Sequence, residues 1–343
     1  MDDDDIATYI GWKGYTIYKK NISVQEQQML RKELNVKPFV PKSSLMKPQP
    51  FPVYRESKNK IYVPIFYGME VYGEPDEIRI DDGKKINVSF KGELRPKQKP
   101  VVKKFMKHIK KKNSGLLALH TGFGKTCLAL NIISKIKLKT IIIVHKEFLL
   151  RQWVERIEQF LPDAKVGKIQ AKTIDTEGKD IVICMLQSLS MKEYPKDMFR
   201  EYGFSIYDEV HHLGAEVFSK AFYKVVTKYS LGLSATINRK DGLTKVIKWF
   251  LGDVVCKLER KGEDNVLVKV INYETTDEDF NKIETDWRGQ IKYTTMVKKL
   301  CEFNNRSEFI LKVLSDLLKG NPNQQVMILA HQKKTVTIFT RCY

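Results

Sequence analysis

The stretch LLALHTGFGKTCLALNII, residues 116–133, decides the fold predicted for this chain. An apolar run leads into a loop with two glycines, and apolar residues then recur at helical spacing. A strand that passes through a glycine-rich turn into a helix presents backbone N–H groups and the positive end of the helix dipole, which together bind phosphate. We predict that Lys125 reaches the β- and γ-phosphates of a nucleotide and that Thr126 ligates Mg²⁺.

The loop departs from the strict phosphate-loop pattern at one position. The pattern asks for a glycine where this chain has Leu119. An ordinary strand-to-helix turn therefore stays open as an alternative when only these residues are considered.

Short apolar runs continue after this loop and alternate with helical patterns. This alternation is typical of a parallel sheet with crossover helices on its faces, so we predict an α/β domain. Its strands are expected at residues 116–119, 140–144, 180–185, 204–207 and 230–233, and its helices at 125–135 and 147–160.

Two acidic residues, Asp208 and Glu209, directly follow the predicted strand 204–207. Because α/β sheets bind ligands at the carboxyl ends of their strands, we expect this pair near the glycine loop. Acid pairs at strand ends are common, so this pair indicates a nucleotide site only in combination with the glycine loop. We predict that Asp208 holds Mg²⁺ and that Glu209 orients or deprotonates the attacking water of a nucleotide hydrolase.

The segments on either side of this domain are less regular. Residues 1–92 alternate aromatic and β-branched residues at 61–67 and contain a stretch rich in proline, lysine and serine at 37–52. This pattern predicts a small α/β or β-rich domain with an extended connector. After the α/β domain we expect a strand at 265–273, a helical stretch at 294–320 and a buried strand at 325–330.

The composition limits the class of protein. The 343 residues carry 60 Lys and Arg against 41 Asp and Glu, a formal charge of +19. Such a surplus is typical of nucleic-acid-binding proteins, although it also serves solubility alone. Twelve of the basic residues lie in 81–112, where a solvated helix face is the alternative interpretation. Every apolar run is far shorter than the ~20 residues of a membrane span.

Two further features predict where the protein resides. The five cysteines are scattered and have no metal-ligand spacing, which indicates a reducing compartment and no structural zinc. The acidic start of the sequence lacks the features of a secretory signal or a transit peptide. We therefore expect an intracellular protein with no membrane partner.

Several motifs occur in a fixed order between residues 93 and 330, and together they resemble those of superfamily 2 DExH helicases. The resemblance is to the XPB and UvsW-like branch, which includes the transcription helicases of poxviruses and other large DNA viruses. Motif I of this branch tolerates the missing first glycine. The matching segments are 94–98, 120–126, 144–153, 185–189, 208–211, 233–236, 238–243 and 325–331.

The resemblance implies a RecA-like parallel sheet with flanking helices, a P-loop NTPase that binds ATP and Mg²⁺. Gln98 would contact the adenine. The implied nucleotide-binding residues are Arg95, Gln98, Thr121, Gly122, Gly124, Lys125 and Thr126, and the catalytic residues are Lys125, Asp208 and Glu209. The implied coupling residues are His211, Ser234 and Thr236, and the nucleic-acid contacts are Lys146, Gln152, Gln187, Ser188 and Arg239. Cys127, Trp153 and Phe160 are expected to be core packing.

The same resemblance implies a domain plan. We expect an accessory, possibly DNA-binding domain at 1–92, the first RecA-like domain at 93–260, a linker or helical segment at 261–320 and the start of a truncated second RecA-like domain at 321–343. The segments that would match motifs V and VI are not found in the sequence. Because an arginine finger is worth ~10³–10⁵ in rate, we expect slow hydrolysis by this chain alone. A frameshift near Lys334 is one hypothesis for this ending.

Three functions remain in view. The first is an ATP-dependent DNA helicase or translocase that acts on duplex DNA in viral transcription or DNA repair, in a viral factory, the host cytoplasm or a virion. The second is a fragment that binds nucleotide and nucleic acid without turnover. The third is an RNA-directed DExH helicase, because motif II does not distinguish the two polymers. A restriction-type translocase subunit would need a nuclease centre, and the sequence contains no convincing one.

Overall fold

The computed structural model describes residues 7–39, 48–210, 215–236, 241–260, 268–320 and 324–330. It divides into two compact units, Met1–Lys261 and Gly262–Tyr343, which are described separately here. Within the described ranges, no helix is both long enough and apolar enough to cross a bilayer.

A five-stranded sheet and two helices form the amino-terminal part of the first unit. Its strand order is β5-β6-β2-β1-β7, and β3 and β4 form a separate pair. Helix α1 begins with a capping box, in which Ser23 and Glu26 satisfy each other's backbone N–H groups. The elements are β1 Thr8–Gly11, β2 Gly14–Tyr18, a 3₁₀ turn Lys19–Asn21, α1 Val24–Glu33, β3 Asn35–Val36, β4 Phe51–Pro52, β5 Arg55–Glu56, β6 Lys60–Val63, α2 Ile65–Tyr72 and β7 Glu77–Ile78.

An eight-stranded sheet with helices on both faces forms the rest of this unit. Its order is β11-β10-β12-β9-β13-β14-β8-β15, and every pairing is parallel except β10 with the edge strand β11. The elements are α3 Lys99–Lys112, β8 Ser114–Leu119, α4 Lys125–Ile136, β9 Thr140–Val144, α5 Glu147–Phe160, β10 Val166–Gln170, β11 Thr173–Asp175, β12 Ile181–Met185, α6 Leu186–Met191, β13 Phe204–Tyr207, α7 Ala215–Phe222, β14 Tyr229–Ser234, α8 Thr244–Leu251 and β15 Val254–Leu258.

The predicted fold class is confirmed. The strands β9 and β13 and the helix α5 have the predicted bounds, and β8, β12 and β14 differ from them by one or two residues. The central strands are buried on both faces, which is why they appear in the sequence as continuous apolar runs. The edge strand β15 was not predicted, because Cys256 and Lys257 interrupt its apolar pattern and leave it partly exposed.

Two predicted strands of the second unit are wrong. Residues 268–273 and 325–330 have no strand structure where they are described, and Met327 and Leu329 are largely exposed. A β-strand needs a partner for its backbone hydrogen bonds, and the described part of this unit provides none for either segment. The predicted helical stretch 294–320 is confirmed. The helices of this unit are α9 Glu278–Asn281, α10 Tyr293–Glu302 and α11 Asn304–Gly320.

The amino-terminal sheet and the eight-stranded sheet share one hydrophobic core. Tyr223, which follows α7, is buried between them, and its hydroxyl donates to the carbonyl of Val53 at 2.9 Å, with the Tyr62 carbonyl within 3.3 Å. The ring of Tyr67 on α2 meets Trp249 on α8 edge to face at 5.1 Å. These contacts join the two sheets, and the domain boundary predicted near residue 92 stays a prediction.

We predict that Tyr223→Phe lowers the free energy of unfolding by about 1–2 kcal/mol, because it leaves a buried carbonyl without its donor. Urea denaturation followed by circular dichroism measures this change. Tyr229→Phe is the matched control, because the Tyr229 hydroxyl makes no hydrogen bond within the described residues. Equal midpoints for the two variants would contradict the prediction.

Candidate functional site

The loop between β8 and α4 has the shape that its two glycines allow. Gly122 and Gly124 have φ angles of 80° and 88°, in the left-handed region that favours glycine. A Cβ atom on Gly124 would lie 2.6 Å from Nη2 of Arg95 and from Nε2 of Gln98. Helix α4 begins at Lys125, so its first N–H groups lie at the end of this loop.

Lys125 and Glu209 form an ion pair at this edge of the sheet. The Lys125 Nζ lies 2.9 Å from Oε1 of Glu209, and both side chains are mostly buried. Glu209 itself has a φ of 51°, an uncommon conformation for a residue with a side chain and one often found at functional sites. The structure thus brings together two of the three predicted catalytic residues.

Asp208, the third, is buried beside them. The indole Nε1 of Trp153 donates to its Oδ2 at 2.9 Å. Burial raises the pKa of Asp208 to about 6, and the charge of Glu209 adds to this, whereas the Trp153 hydrogen bond and Lys125 oppose it. Trp153 is buried as predicted, but its role is wider than packing. The signal was available, because a buried indole N–H needs an acceptor.

The three residues lie on a cavity of about 510 Å³. The predicted nucleotide-binding and catalytic residues that line it are Arg95, Gln98, Thr121, Gly122, Gly124, Lys125, Thr126, Asp208 and Glu209. Gln152, predicted as a nucleic-acid contact, also lies on its wall. Cys127 and Phe160, expected to be core packing, line it too, as does Arg156, which the sequence did not single out. Helical spacing alone could not show which face of α4 or α5 lines the cavity.

Gln98 is directed inward to the loop. Its Nε2 donates to the carbonyl of Phe123 at 2.8 Å, and its Oε1 accepts the N–H of Arg95 at 2.9 Å. The Arg95 guanidinium donates to the same Phe123 carbonyl at 3.0 Å. These two side chains therefore hold the carbonyl groups of the glycine loop from the segment that precedes α3.

Two predicted nucleic-acid contacts, Lys146 and Gln187, follow the neighbouring strands β9 and β12 and lie close together. Gln187 donates through Nε2 to the carbonyl of His145 at 3.0 Å, and Lys146 lies next to it at the start of α5. The Lys146 ammonium is 5.9 Å from the centre of the Phe148 ring, which is 61% exposed. The sequence pattern of α5 does not distinguish Phe148 from the buried apolar residues of this helix, so the exposed ring was not predicted. The Ser188 hydroxyl is buried and accepts the N–H of Ala171 at 2.9 Å.

The predicted coupling residues lie at the end of the next strand. Ser234 ends β14, which is hydrogen-bonded to β8, and its hydroxyl donates to the carbonyl of Thr236. His211 and Arg239 lie outside the described residues.

The chain is similar in sequence to several known proteins. Residues 91–239 match the family described as the res subunit of type III restriction enzymes. A relative from Acanthamoeba polyphaga mimivirus, named "Putative ATP-dependent RNA helicase", is 32% identical over 98% of this chain and 65% of its own length. A "Putative helicase" of Invertebrate iridescent virus 6 is 29% identical over 73% of this chain and 55% of its own length. The chain thus spans less than two thirds of either relative.

A solved structure has a similar fold. The match to the UvsW helicase of bacteriophage T4 covers 73% of this chain and 98% of the UvsW chain. Its TM-score is 0.51, and the sequence identity is 14%. That likeness concerns the fold alone, whereas the family match and the viral relatives rest on sequence. Through residues 91–239 this chain is thus similar to the res subunit family of type III restriction enzymes, and along most of its length it is similar to a viral protein named a putative helicase.

Proposed function

We propose that this chain is the nucleotide-binding part of a nucleic-acid motor that hydrolyses ATP with Mg²⁺. The observation that carries the proposal is the convergence of Lys125, Asp208 and Glu209 on one cavity beside the glycine loop. Phosphoryl transfer needs positioned charge more than covalent chemistry, and this arrangement supplies it.

The Lys125–Glu209 ion pair suggests how nucleotide binding prepares the site. A triphosphate on the loop brings phosphate oxygens that compete with Glu209 for the Lys125 ammonium. When Lys125 turns to the phosphates, the Glu209 carboxylate is released to orient the attacking water and to accept its proton. Ligand binding would therefore convert a resting ion pair into a phosphate contact and a general base.

Thr126 and Asp208 fit a Mg²⁺ site because they offer hard oxygen atoms, and magnesium in nucleotide sites takes the remaining ligands from phosphates and water. When bound, the metal would neutralise charge that develops on the phosphates.

Asp208 would hold the metal as a carboxylate, so its raised pKa affects both metal binding and the pH dependence of stability. The folded protein binds this proton more tightly than the unfolded chain, so this group's contribution to stability falls as the pH rises toward about 6 and is constant above.

We further propose that nucleic acid is bound near Lys146, Phe148 and Gln187, with duplex DNA as the polymer. A cation beside an exposed aromatic ring offers one group for phosphate and one for a base. Arg239 belongs to this proposal by its motif. RNA is the second candidate, because the mimivirus relative is named an RNA helicase. A role in viral transcription or in repair would depend on which polymer is bound and on which partner recruits the chain.

We predict that Lys125→Ala weakens ATP binding more than about tenfold, equivalent to ~1.4 kcal/mol, because the phosphates lose their ammonium partner. Glu209→Gln should keep ATP binding and reduce turnover at least about 100-fold, because the general base is lost. Titration calorimetry and phosphate release measure the two effects. Lys135→Ala, at the exposed end of the same helix, is the control and should behave as the original chain.

The outcomes separate the motor from a binding fragment. Turnover that duplex DNA stimulates supports the motor. ATP binding without turnover, with or without polymer, supports the fragment. Tight ATP binding by Lys125→Ala would reject the assignment of the loop.

The pH dependence of turnover tests Asp208. We expect activity to fall on the acid side as Asp208, with a pKa of about 6, becomes protonated and loses its affinity for Mg²⁺. Trp153→Phe removes a hydrogen bond that lowers this pKa, so the acid limb should move to higher pH. The pH dependence of kcat/KM for MgATP between about pH 5 and pH 8 measures the limb, because kcat/KM reports the groups of the free enzyme. Trp249→Phe, another buried tryptophan, is the control, and an equal shift in both variants would contradict the assignment.

The polymer site has its own test. We predict that Lys146→Ala weakens binding of labelled duplex DNA several-fold and reduces the slope of affinity against salt by about 1, because one phosphate contact is lost. Lys165→Ala removes the same charge from an exposed position just before β10, at the opposite edge of the sheet, and should change neither. Competition with unlabelled duplex RNA decides the polymer. If RNA displaces the DNA at lower concentration, the RNA-directed helicase is the better proposal.

A further inference from the structure

Helix α3 carries lysines whose charges are not balanced within the described part of the chain. Its fourteen residues include seven lysines and no acidic residue. Lys99 is paired with Glu93 at 3.1 Å. Lys103, Lys107 and Lys110 are exposed, and no described carboxylate lies within ion-pair distance of them. These three lysines, which we call the lysine row, follow one another at spacings of four and three residues and therefore share one face of the helix.

The helix itself explains only some of these charges. Lys110, Lys111 and Lys112 lie in the last turn, where the negative end of the helix dipole stabilises cations. Lys103 and Lys107 lie in the middle of the helix, one turn apart. Like charges at this spacing repel each other and weaken a helix. An anion from outside the helix would relieve this repulsion, so the lysines in the middle of α3 indicate a binding surface.

The lysine row borders an open groove between α3 and α4, which we call the α3 groove. Its volume is about 750 Å³, and all three lysines line it. Leu94, Val102 and Met106 line it as well and give it an apolar base. Helix α3 and the amino-terminal sheet belong to different hydrophobic cores of this unit, so the amino-terminal sheet does not cover the groove.

The dimensions of the groove suit a second helix. From Lys99 to Lys110 the groove follows α3 for about 17 Å, or three turns. Along the axis, Lys103 and Lys107 are about 6 Å apart, and Lys107 and Lys110 about 4.5 Å. Acidic residues at spacings of three and four on a partner helix repeat at the same intervals, and such residues flank the apolar seam where two helices pack together.

The chemistry of the groove favours a protein over a nucleic acid. Proteins recognise nucleic acid with arginine, whose plane binds phosphate and stacks on bases, and with aromatic rings. Among the described residues that line the α3 groove there is neither an arginine nor an aromatic residue. A sugar-phosphate backbone also has no apolar side chains that could cover Leu94 and Met106. An amphipathic helix does have them, and it lays them into an apolar groove.

We infer that the α3 groove binds an acidic amphipathic helix of a protein partner. Apolar side chains of that helix would cover the base of the groove, and its carboxylates would pair with the lysine row. This surface is separate from the proposed ATPase, because among the described residues the groove shares only Glu93 with the nucleotide cavity.

A designed peptide tests this inference on the full chain. The probe is a fluorescein-labelled helical peptide of about 18 residues, or five turns, with leucines at alternating spacings of three and four and glutamates beside them. Fluorescence anisotropy measures its dissociation constant. The double substitution Lys103→Ala and Lys110→Ala should weaken binding at least about fivefold, because two ion pairs are lost.

The same helix provides the matched control. The double substitution Lys104→Ala and Lys111→Ala removes the same charge at the same spacing of seven residues, but neither of these lysines lines the groove. We expect it to weaken peptide binding less than about twofold, because only the general attraction of the basic surface is reduced. Alanine has a high helix propensity, so both variants should keep α3, and circular dichroism checks this.

The apolar half of the inference has its own variant. Met106→Ala leaves every charge in place and removes part of the apolar base of the groove. Peptide binding should weaken several-fold, because less apolar surface of the peptide is removed from water. A second peptide, with alanine in place of leucine, should bind the original chain correspondingly weakly.

Every outcome supports the inference or overturns it. Equal effects of the two lysine pairs, equal binding of the two peptides, or no saturable binding of the leucine peptide would overturn it. If Lys103→Ala with Lys110→Ala weakens binding of duplex DNA as much as binding of the peptide, while the control pair changes neither, the groove is a nucleic-acid surface instead. ATP binding, measured in parallel, should be the same in all variants, and its absence from the original chain would reject only the proposed function.

Discussion

A single ammonium group, that of Lys125, faces two carboxylates at the carboxyl edge of the sheet. Glu209 takes the direct ion pair, and Asp208 is left with burial, a neighbouring negative charge and one indole hydrogen bond. Burial raises the pKa of Asp208, and the neighbouring charge of Glu209 adds to this effect. A divalent cation beside Asp208 would reverse that cost, and a triphosphate would supply the anion that Lys125 then needs. Under the proposed function, these electrostatics would favour a metal and a nucleotide bound together.

Strand order creates this charge arrangement. Lys125 follows β8 and the acid pair follows β13, and β14 lies between those two strands. Two strand spacings separate their ends by about 10 Å, a distance that the start of α4 and the long lysine side chain bridge. Ser234, at the end of the intervening strand, is placed between the two halves of the site by the same order. Any change in the loop or in the acid pair therefore occurs next to β14.

The parts of the fold that the sequence predicts are those with local causes. Buried parallel strands need apolar residues throughout, and a phosphate loop needs glycine, so β8, β9 and β13 and the loop could be identified. The strands expected at 265–273 and 325–330 are absent from the described residues 268–273 and 325–330, because strand pairing depends on a partner that a local pattern cannot guarantee. At the site, Arg156, Phe160 and Phe148 could not be assigned, since helical spacing places residues on a common face without showing whether that face is packed.

The departure of the loop from the strict phosphate-loop pattern has a structural explanation. Leu119 occupies the position of the missing glycine, and it is fully buried as the last residue of β8. The positive φ angles are needed only at Gly122 and Gly124, and the loop carbonyls that follow are held by Arg95 and Gln98. A Cβ on Gly124 would displace both of these side chains. This glycine therefore permits the positive φ angle and also leaves room for Arg95 and Gln98. The shape of this loop is thus set by its two glycines and by two side chains from outside it.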